Sequence, residues 1–314
     1  MKVLITGGLG YLGGRLAQHL SLNEEFELLL VSRRKLESPN WLPSVQMVET
    51  EWASQKQLVK ICEGVDAVVH LASMNAVESA RSPARALQMN GVSTVRLLEA
   101  AIKQHVSRFI YLSTAHVYGT PLQGLIDETI KTLPLYPYAT SHKAGEDVVM
   151  AAHHLGRIEG IVLRLSNSFG PPTHETVNCW NLLIPDLCRQ AVTENKMVLH
   201  SSGLQRRDFI PMIDACNAIK HVLQLPGLKL GEGLFNVGGN WCPTVYEVAC
   251  LIRRRCVNLL NRSPLISRKK SQSIERTLPL TYNIERLRKT GFELNGLIEE
   301  EIDGLLIFCQ RILF

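Results

Sequence analysis

The sequence has no uninterrupted apolar run long enough to cross a lipid bilayer, so it predicts no membrane-spanning helix and no membrane partner. Its eight cysteines include no Cys-x-x-Cys pair, and we predict neither a disulfide framework nor a metal site. No charged leader with an apolar segment precedes the first predicted strand, so we expect reduced thiols and a cytoplasmic location. The formal net charge of +5 is small for 314 residues, and we expect no nucleic-acid partner.

A glycine-rich segment stands near the start of the chain, between an apolar strand predicted over 3–5 and an amphipathic helix predicted over 11–22. Gly7, Gly10 and Gly13 are spaced three apart, which permits a tight turn, a pyrophosphate against the backbone and close packing of the helix. The amides at the helix N-terminus would then face the phosphates. This pattern indicates dinucleotide binding, and the competing interpretation is an ordinary strand-to-helix turn.

Strand-like apolar runs alternate with helical stretches through the first half of the chain. Further strands are predicted over 26–31, 45–48, 66–72, 108–112 and 160–165, and helices over 11–22, 55–63, 83–104 and 141–154. This alternation predicts an α/β fold whose doubly wound parallel sheet is covered by helices on both faces. After Asn167 prolines and irregular connections increase. We therefore expect a dinucleotide-binding domain over 1–168 and a smaller, mainly substrate-binding region over 169–314, with some segments returning to the sheet.

A series of motifs extends over nearly the whole chain. In order they are Thr-Gly-x-x-Gly-x-x-Gly at 6–13, Val-Asp-Ala-Val-Val-His-Leu-Ala at 65–72, Asn90, Val-Tyr-Gly at 117–119, Tyr138, Arg-Leu-Ser-Asn-Ser-Phe-Gly-Pro at 164–171, Arg-Asp-Phe at 207–209 and Phe-Asn-Val-Gly-Gly at 235–239. The chain resembles the extended short-chain dehydrogenases/reductases of the nucleotide-sugar epimerase and dehydratase group. The resemblance implies a Rossmann sheet, a nicotinamide cofactor and a nucleotide-sugar substrate.

Two of these positions are expected to carry the chemistry. The resemblance implies that Thr114 and Tyr138 meet the sugar oxygen that becomes a ketone. Hydride leaves a carbon only as its hydroxyl loses a proton, so the site needs a base beside that oxygen and a second group to hold it. We expect Tyr138 to act as base or acid and Thr114 to position the oxygen. The competing interpretation is a surface tyrosine that precedes a helix.

The lysine of the family's Tyr-x-x-x-Lys pattern is replaced by His142, and Lys143 follows one residue later. Four helical residues turn the chain by about 400°, so His142 would lie roughly 40° from Tyr138, whereas Lys143 would lie about 100° further round and face elsewhere. A tyrosine with an ordinary pKa near about 10 needs nearby positive charge to ionise at neutral pH. The charge of a histidine depends on its surroundings. We therefore expect an altered dyad or weaker activity, or a His142 that is an ordinary polar residue.

The two residues after Thr114 indicate which reaction types of the family this chain can catalyse. Dehydratases of the family carry an Asp-Glu pair there, and this chain has Ala115 and His116. Neither residue can act as that carboxylate pair, so dehydration is disfavoured and epimerisation or reduction of a keto sugar remains. His116 can contact substrate, or it can be a solvated histidine at a strand end. A catalytically weak or inactive cofactor sensor or scaffold is the alternative function.

The end of the second predicted strand is expected to select the cofactor. An acidic residue there would bind the adenosine ribose of NAD, but the chain reads Ser32, Arg33, Arg34 and Lys35. A serine and cations suit a ribose 2′-phosphate, which favours NADP(H), with NAD(H) as the alternative. A cationic surface loop without a ligand is the competing interpretation. Arg15 either assists or is a surface residue.

The remaining binding residues follow from the resemblance. The expected cofactor-binding residues are Gly7, Gly10, Tyr11, Leu12, Gly13, Ser32, Arg33, Arg34, Leu71, Ala72, Ser73, Asn90, Tyr138 and His142. The expected substrate-binding residues are Thr114, Asn167, Asn181, Leu182 and Arg207, of which Asn167 and Arg207 match positions that hold the diphosphate. Structural alternatives are that Asn167 caps a turn, Arg207 pairs with Asp208 and Leu182 only packs.

The helices predicted over 83–104 and 141–154 carry apolar faces. The resemblance implies that this pair packs against its symmetry mate, so we expect a homodimer. The alternative is that the same faces pack against the chain's own sheet.

Overall fold

The computed structural model describes residues 1–269 and 277–313. Within them the strands are β1 (Lys2–Thr6), β2 (Glu27–Ser32), β3 (Gln46–Glu49), β4 (Ala67–His70), β5 (Arg108–Thr114), β6 (Gly124–Ile126), β7 (Glu159–Leu165), β8 (Asn167–Phe169), β9 (Lys196–Leu199), β10 (Phe209–Pro211), β11 (Leu234–Val237), β12 (Leu265–Arg268) and β13 (Leu280–Tyr282). The α-helices are α1 (Tyr11–Ser21), α2 (Gln55–Ile61), α3 (Ala76–Arg81), α4 (Pro83–Ala86), α5 (Ser93–Lys103), α6 (Pro137–His154), α7 (Leu183–Thr193), α8 (Met212–Gln224), α9 (Val245–Leu260), α10 (Glu285–Arg288) and α11 (Ile298–Leu313).

The central sheet in the described part of the chain has seven parallel strands in the order β11-β7-β5-β4-β1-β2-β3. The chain builds outward from β1 to β3, crosses to β4 on the other side of β1, and continues outward to β11. The order therefore reverses between β1 and β4, which opens a crevice at the carboxyl ends of these strands. The predicted doubly wound parallel α/β fold is confirmed.

Alternating strand residues build a separate core on each face of the sheet. Val3 and Ile5 point to a core that includes residues of α1 and α8, while Leu4 points to a second core with residues of α2, α5 and α6. All three side chains are fully buried. Burial on both faces explains why the strands read as nearly continuous apolar runs rather than as alternating ones.

Two predicted helices differ from the structure at their boundaries. The helix predicted over 83–104 is divided into α4, a π-helical segment (Leu87–Val92) and α5, and α3 precedes it. The helix predicted to begin at Ser141 begins at Pro137 instead. Proline is favourable in the first turn of a helix, because the amide that it lacks has no intrahelical partner there. This earlier start puts Tyr138 in the first turn of α6.

The region after residue 168 has its own apolar core, formed by α7, α9, α11 and neighbouring segments. Thr244 and Glu247 form a reciprocal capping box at the start of α9, which fixes where that helix begins. β11 pairs with β7 in the central sheet. The expected substrate-binding region also includes residues 270–276 and 314, which lie outside the described residues.

The apolar faces of the two expected dimer helices divide between interior and surface. Leu98, Val149 and Ala152 are buried in the chain's own core, whereas Leu87 is 47% exposed and Val92 is 37% exposed. Packing against the chain's own sheet is therefore one role of these faces. Over residues 1–269 and 277–313, we find no helix with the length and apolar character needed to span a membrane.

Candidate active site

The glycine-rich turn connects β1 to α1 at the crevice. Gly7 has a φ of +69°, and a Cβ on it would lie 2.9 Å from the Ala72 nitrogen. A Cβ on Gly13 would lie 2.1 Å from the Gly7 carbonyl oxygen, so the helix approaches the turn too closely for any other residue. Gly10 precedes the helix without a side-chain cap. The turn therefore presents backbone at the N-terminus of α1, as phosphate binding requires.

The Thr6 hydroxyl holds the second loop of the crevice. It accepts hydrogen bonds from the backbone amides of Leu71 and Ala72 at 3.2 Å each. Its own proton therefore goes to His70 Nδ1, 2.6 Å away. His70 Nε2 then donates to Thr94 Oγ1 at 3.1 Å. This bonding pattern assigns a neutral tautomer to His70, and burial lowers its pKa to about 3.

The predicted cofactor residues at the loop after β4 differ in exposure. Leu71 and Ala72 are half-buried and Ser73 is exposed. Asn90, which is fully buried in the π-helical segment, accepts from the Met74 amide at 2.8 Å and donates to Ser141 Oγ at 3.0 Å. Both ends of its side chain are thus bonded to protein, so Asn90 fixes this loop against α6.

The end of β2 presents unpaired cations. Ser32 Oγ accepts from the Arg34 amide at 3.1 Å, which shapes the turn. Arg33 and Arg34 are exposed, and in the part of the chain that the structure describes neither forms a salt bridge. Arg33 lines an open groove of about 1070 Å³ beside β3 that also reaches Trp52. These cations are available to an anionic ligand.

Tyr11 and Arg15, on the first helix, contact other elements of the protein. The Tyr11 hydroxyl donates to the Gly170 carbonyl at 2.6 Å and accepts from the Gly170 amide at 3.0 Å. Arg15 donates to the Pro171 carbonyl at 2.8 Å and forms a two-bond ion pair with Glu301 of α11. Leu12 is buried in the core below. The interpretation of Arg15 as a ribose-phosphate ligand or a surface residue is wrong, because Glu301 occupies its guanidinium.

Tyr138 and Thr114 are brought together at the carboxyl end of β5. The Thr114 side chain lies near the Tyr138 hydroxyl and lowers the tyrosine pKa, but burial has the larger effect and the pKa is raised overall. Thr114 ends β5, and its Oγ1 also accepts from the His116 amide at 3.3 Å. A phenol and a threonine hydroxyl thus lie next to each other at the crevice.

Three aromatic rings lie around this pair. The Tyr136 ring stacks on Tyr138 at 6.2 Å between centroids, and the His116 ring meets both tyrosines edge-on at 5.7 and 6.4 Å. The His142 ring meets Tyr138 at 4.6 Å and an angle of 64°. Tyr136 was not among the predicted site residues, and His116 was given two alternative roles, substrate contact or a solvated histidine. A Tyr-Pro-Tyr at the start of a helix was the signal for the first of these.

His142 lies below the phenol and not at the surface. It is 2% exposed; Nδ1 lies 3.2 Å from the Tyr111 hydroxyl and Nε2 has no hydrogen-bond partner among the described atoms. Burial, together with His116, lowers its pKa to about 4, so it is neutral at pH 7. The interpretation of His142 as an ordinary polar surface residue is wrong. Lys143 pairs with Asp147 on the outer side of α6, as its predicted direction requires.

The predicted substrate residues lie on segments after β7. Arg207 is exposed, and its charge acts on both Tyr136 and His116. The alternative of an Arg207–Asp208 ion pair is wrong, because Asp208 is buried and accepts instead from the Gly239 amide and the Cys242 thiol. Arg207 is therefore available beside the aromatic rings.

Asn167, Asn181 and Leu182 occupy different surroundings. Asn167 Nδ2 donates to the Asp208 carbonyl at 2.8 Å and thereby joins β8 to β10. Asn181 and Leu182 are exposed just before α7, and Leu182 is 41% exposed. The exposed pair is accessible to a ligand, whereas the Asn167 amide serves the structure through one of its two donors.

A buried ion pair fixes α6 to the sheet. Arg164 donates to both Glu146 oxygens at 2.9 and 2.8 Å, and the two side chains are 6% and 1% exposed. Arg164 is in register with Ser113, and Leu165 is in register with Thr114. Because Glu146 lies two turns after Tyr138, the pair sets the position of the helix relative to the end of β5.

The neutral buried histidines predict a pH dependence of stability. Unfolded histidines take up protons near pH 6.5, whereas folded His70 and His142 do so only near pH 3 and 4. The unfolded state binds more protons in this interval, so each histidine lowers the free energy of unfolding by about 1.4 kcal/mol per pH unit below about 6.5. The contribution is fully present above that pH.

Urea unfolding between pH 7.5 and 5.5 measures this effect. Asp208, whose pKa burial raises to about 6, acts in the opposite direction, so the comparison must be between variants. We expect His142→Gln to reduce the mean pH slope over this interval by about half a proton, and an unchanged slope would contradict a neutral His142.

Known proteins resemble the chain over most of its length. Residues 3–238 match the family described as "NAD dependent epimerase/dehydratase family". A dTDP-glucose 4,6-dehydratase of Streptomyces niveus is 28% identical over 269 residues, which are 82% of this chain and 78% of that protein. UDP-glucuronic acid 4-epimerase from Bacillus cereus, solved with NAD, superposes with a TM-score of 0.83 at 20% identity over 99% of this chain and 97% of that one.

A second solved structure shares the fold and contains a different cofactor. RMD from Pseudomonas aeruginosa, solved with NADPH, has a TM-score of 0.77 at 22% identity and covers 99% of both chains. The two solved structures share the fold, while the family match covers most of this chain. The resemblance seen in the sequence motifs is confirmed: the chain belongs to the NAD-dependent epimerase/dehydratase family of extended short-chain dehydrogenases/reductases.

Proposed function

We propose that this protein is an NADP(H)-preferring nucleotide-sugar epimerase or keto-sugar reductase. The observation that carries the proposal is the contact between Thr114 and Tyr138 at the crevice that also holds the glycine-rich turn. A phenol and a hydroxyl at this position can hold a sugar oxygen while hydride passes between the neighbouring carbon and the nicotinamide. Tyr138 exchanges the proton, Thr114 orients the oxygen and His142 supports the phenol from below.

The cofactor would lie across the carboxyl ends of β1, β2 and β4. Gly7, Gly10 and Gly13, with the backbone of Tyr11 and Leu12, would face the pyrophosphate at the start of α1. The loop over Leu71, Ala72 and Ser73 would lie along it, and Asn90 would hold that loop. This arrangement follows the domain division into 1–168 for the cofactor and 169–314 for the substrate.

The substrate would enter from the side of Arg207. Its exposed guanidinium matches the bidentate geometry of a diphosphate, and Asn167 would assist. Asn181 and Leu182, exposed before α7, would lie over the nucleotide base. Dehydration is disfavoured in this proposal, because Ala115 and His116 provide no carboxylate after Thr114.

Preference for NADP(H) rests on the cations after β2. Ser32, Arg33 and Arg34 offer a hydroxyl and two unpaired guanidinium groups where an NAD enzyme would hold an acidic residue. RMD, which has the same fold, was solved with NADPH. The B. cereus epimerase has the same fold and was solved with NAD, so the fold by itself is compatible with either cofactor, and we propose that the β2 turn selects between them.

The double substitution Arg33→Ala with Arg34→Ala tests this preference. Two charge-assisted contacts to the 2′-phosphate would be lost, each worth about 1.5 to 3 kcal/mol, so we expect NADPH affinity to fall at least about a hundredfold. NADH affinity should change less than about twofold. Fluorescence titration with both cofactors measures the two values, and Lys103→Ala, at an exposed position at the end of α5, serves as a charge control. An equal loss for both cofactors would contradict the assignment.

A cofactor-resolved activity assay tests the function. The purified protein is mixed with UDP-linked and dTDP-linked sugars and keto sugars, and reduced-nicotinamide absorbance is followed together with product analysis. A reductase consumes NADPH in proportion to product, and an epimerase forms product with no net loss. Either outcome supports the proposal, and absence of both reactions across the panel refutes it.

A second candidate is a cofactor-binding sensor or scaffold without turnover, favoured by the neutral His142 in place of a lysine. His142→Lys distinguishes the two. If neither the parent nor this variant turns over any sugar of the panel while NADP still binds, the enzyme proposal fails and the sensor remains.

We also propose a homodimer, supported by the exposed Leu87 and Val92 near α5. Sedimentation of the purified protein tests the homodimer.

The cytoplasmic location remains a prediction.

A further inference from the structure

The side chains in contact with or next to the Tyr138 phenol carry no charge at neutral pH. β5 contributes Thr114, and the turn after it contributes His116. The residues before and within α6 contribute Tyr136 and His142. Burial raises the pKa of the phenol, and the Thr114 side chain lowers it.

The cations near this end of α6 are directed elsewhere. Lys143 is paired with Asp147 on the outer side of the helix. Arg207 acts on Tyr136 and His116 and lies on the proposed path of the substrate. Arg164 is bonded to both oxygens of Glu146 inside the protein. The buried His142 ring packs against the phenol, and its Nδ1 lies 3.2 Å from the Tyr111 hydroxyl.

We propose that the site is built for reduction of a nucleotide-linked keto sugar, with Tyr138 as proton donor, and not for the oxidation that begins an epimerisation. The inference rests on the proposed function and selects between its two reactions. It rests on two observations. The buried His142 ring stands where the family has a lysine, with its centroid 4.6 Å from that of the Tyr138 ring. Lys143, the next residue, is paired with Asp147 on the outer side of α6.

The proposed step needs no ionised phenol at its start. A bound reduced nicotinamide would supply the hydride that forms a C–H bond at the ketone carbon, and the carbonyl π pair would move to oxygen. That oxygen takes the proton of the Tyr138 hydroxyl, held in place by Thr114. The products are a secondary alcohol, the oxidised cofactor and a tyrosinate that water reprotonates.

Oxidation of an alcohol needs the opposite starting state. The phenol must first be ionised, and with an ordinary pKa near about 10 only about one in a thousand is ionised at pH 7. Burial raises the pKa of Tyr138 above that ordinary value, so the ionised fraction is smaller still. The oxidised nicotinamide adds one positive charge, but a second one from α6 is missing. An epimerase must pass through this oxidation in every turnover, whereas a reductase does not.

Single-turnover kinetics of the wild-type protein test the inference. A UDP-linked or dTDP-linked keto sugar is mixed with protein and NADPH, and the corresponding alcohol is mixed with protein and NADP⁺, from pH 6.5 to 9. We expect the reduction rate to change less than about twofold between pH 6.5 and 8. The oxidation rate should rise about tenfold per pH unit. Oxidation that is flat and fast at pH 7 would overturn the inference.

A substrate-free measurement separates this inference from the proposed function. Protein carrying ¹³C-labelled tyrosine is titrated by NMR with NADP⁺ bound, and Tyr138→Phe assigns the signal. We expect the Tyr138 signal not to titrate below pH 9, and a midpoint near neutral pH overturns the inference. If no sugar of the panel reacts, the proposed function fails, and the titration alone still decides the state of the phenol.

Variants of α6 add a matched comparison. His142→Lys should lower the Tyr138 midpoint by at least about one unit and raise oxidation at pH 7 about tenfold or more. Lys143→Met removes a cation from the outer face and should change neither value. Should His142→Lys not fold, His142→Gln keeps a neutral side chain and should retain the parent's pH profiles. A fall of the midpoint in His142→Gln would contradict the inference.

A keto-sugar substrate also indicates which class of reaction must precede this one. The ketone must be supplied by an oxidising or dehydrating enzyme that acts on a nucleotide-sugar, since this chain lacks the carboxylates for dehydration after Thr114.

Discussion

Tyr138→Phe should lower sugar turnover by about 10² to 10⁴-fold, because it removes the group that exchanges the proton with the sugar oxygen. The phenol contacts Thr114 and is packed between Tyr136 and His142, so a phenylalanine retains most of the packing. We expect NADPH affinity to change less than about threefold. Initial rates with the reactive sugar of the panel and a cofactor titration measure both.

Tyr246→Phe is the matched control for this substitution. Tyr246 lies in α9, where Arg268 is over its ring, and removing its hydroxyl should leave turnover within about twofold of the parent. Full activity of Tyr138→Phe would refute proton transfer through this residue, whichever sugar reacts.

Glu146→Gln should have the largest effect on stability. Arg164 is buried with both of its bonds to Glu146, and it also lies 4.6 Å over the Tyr118 ring. Removing one partner leaves an uncompensated buried charge, which costs about 3 to 5 kcal/mol of unfolding free energy. Urea unfolding at pH 7.5 measures the loss.

Asp147→Asn is the control on the same helix. Asp147 pairs with Lys143 at the surface, and exposed pairs contribute about 0 to 1 kcal/mol. If both substitutions cost the same, the Glu146–Arg164 pair does not hold α6 to β7. Because Arg164 is in register with Ser113 beside Thr114, the buried pair should also affect activity. A reduced turnover that an added stabilising osmolyte does not restore would separate positioning of Tyr138 from loss of folded protein.

The sequence predicted the parts of the site that depend on local geometry. The spacing of Gly7, Gly10 and Gly13 required a turn in contact with the next helix, and the distances of added Cβ atoms agree. Helical periodicity put Lys143 on the outer side of α6, where it pairs with Asp147. The same periodicity did not reveal the break at the π-helical segment, where the Asn90 side chain bonds to Met74 and Ser141, two residues distant from it in sequence.

The order of strands and helices, the family and the residue four positions after Tyr138 could all be read from the amino-acid sequence. They follow from short-range periodicity and from motifs within a few residues of each other. Three features became evident only in the folded chain: His142 is buried and neutral, Glu301 pairs with Arg15, and Tyr136 stacks on the phenol. The reason is that charge state and contact depend on which distant segments surround a side chain, and solvation is set by the folded chain as a whole.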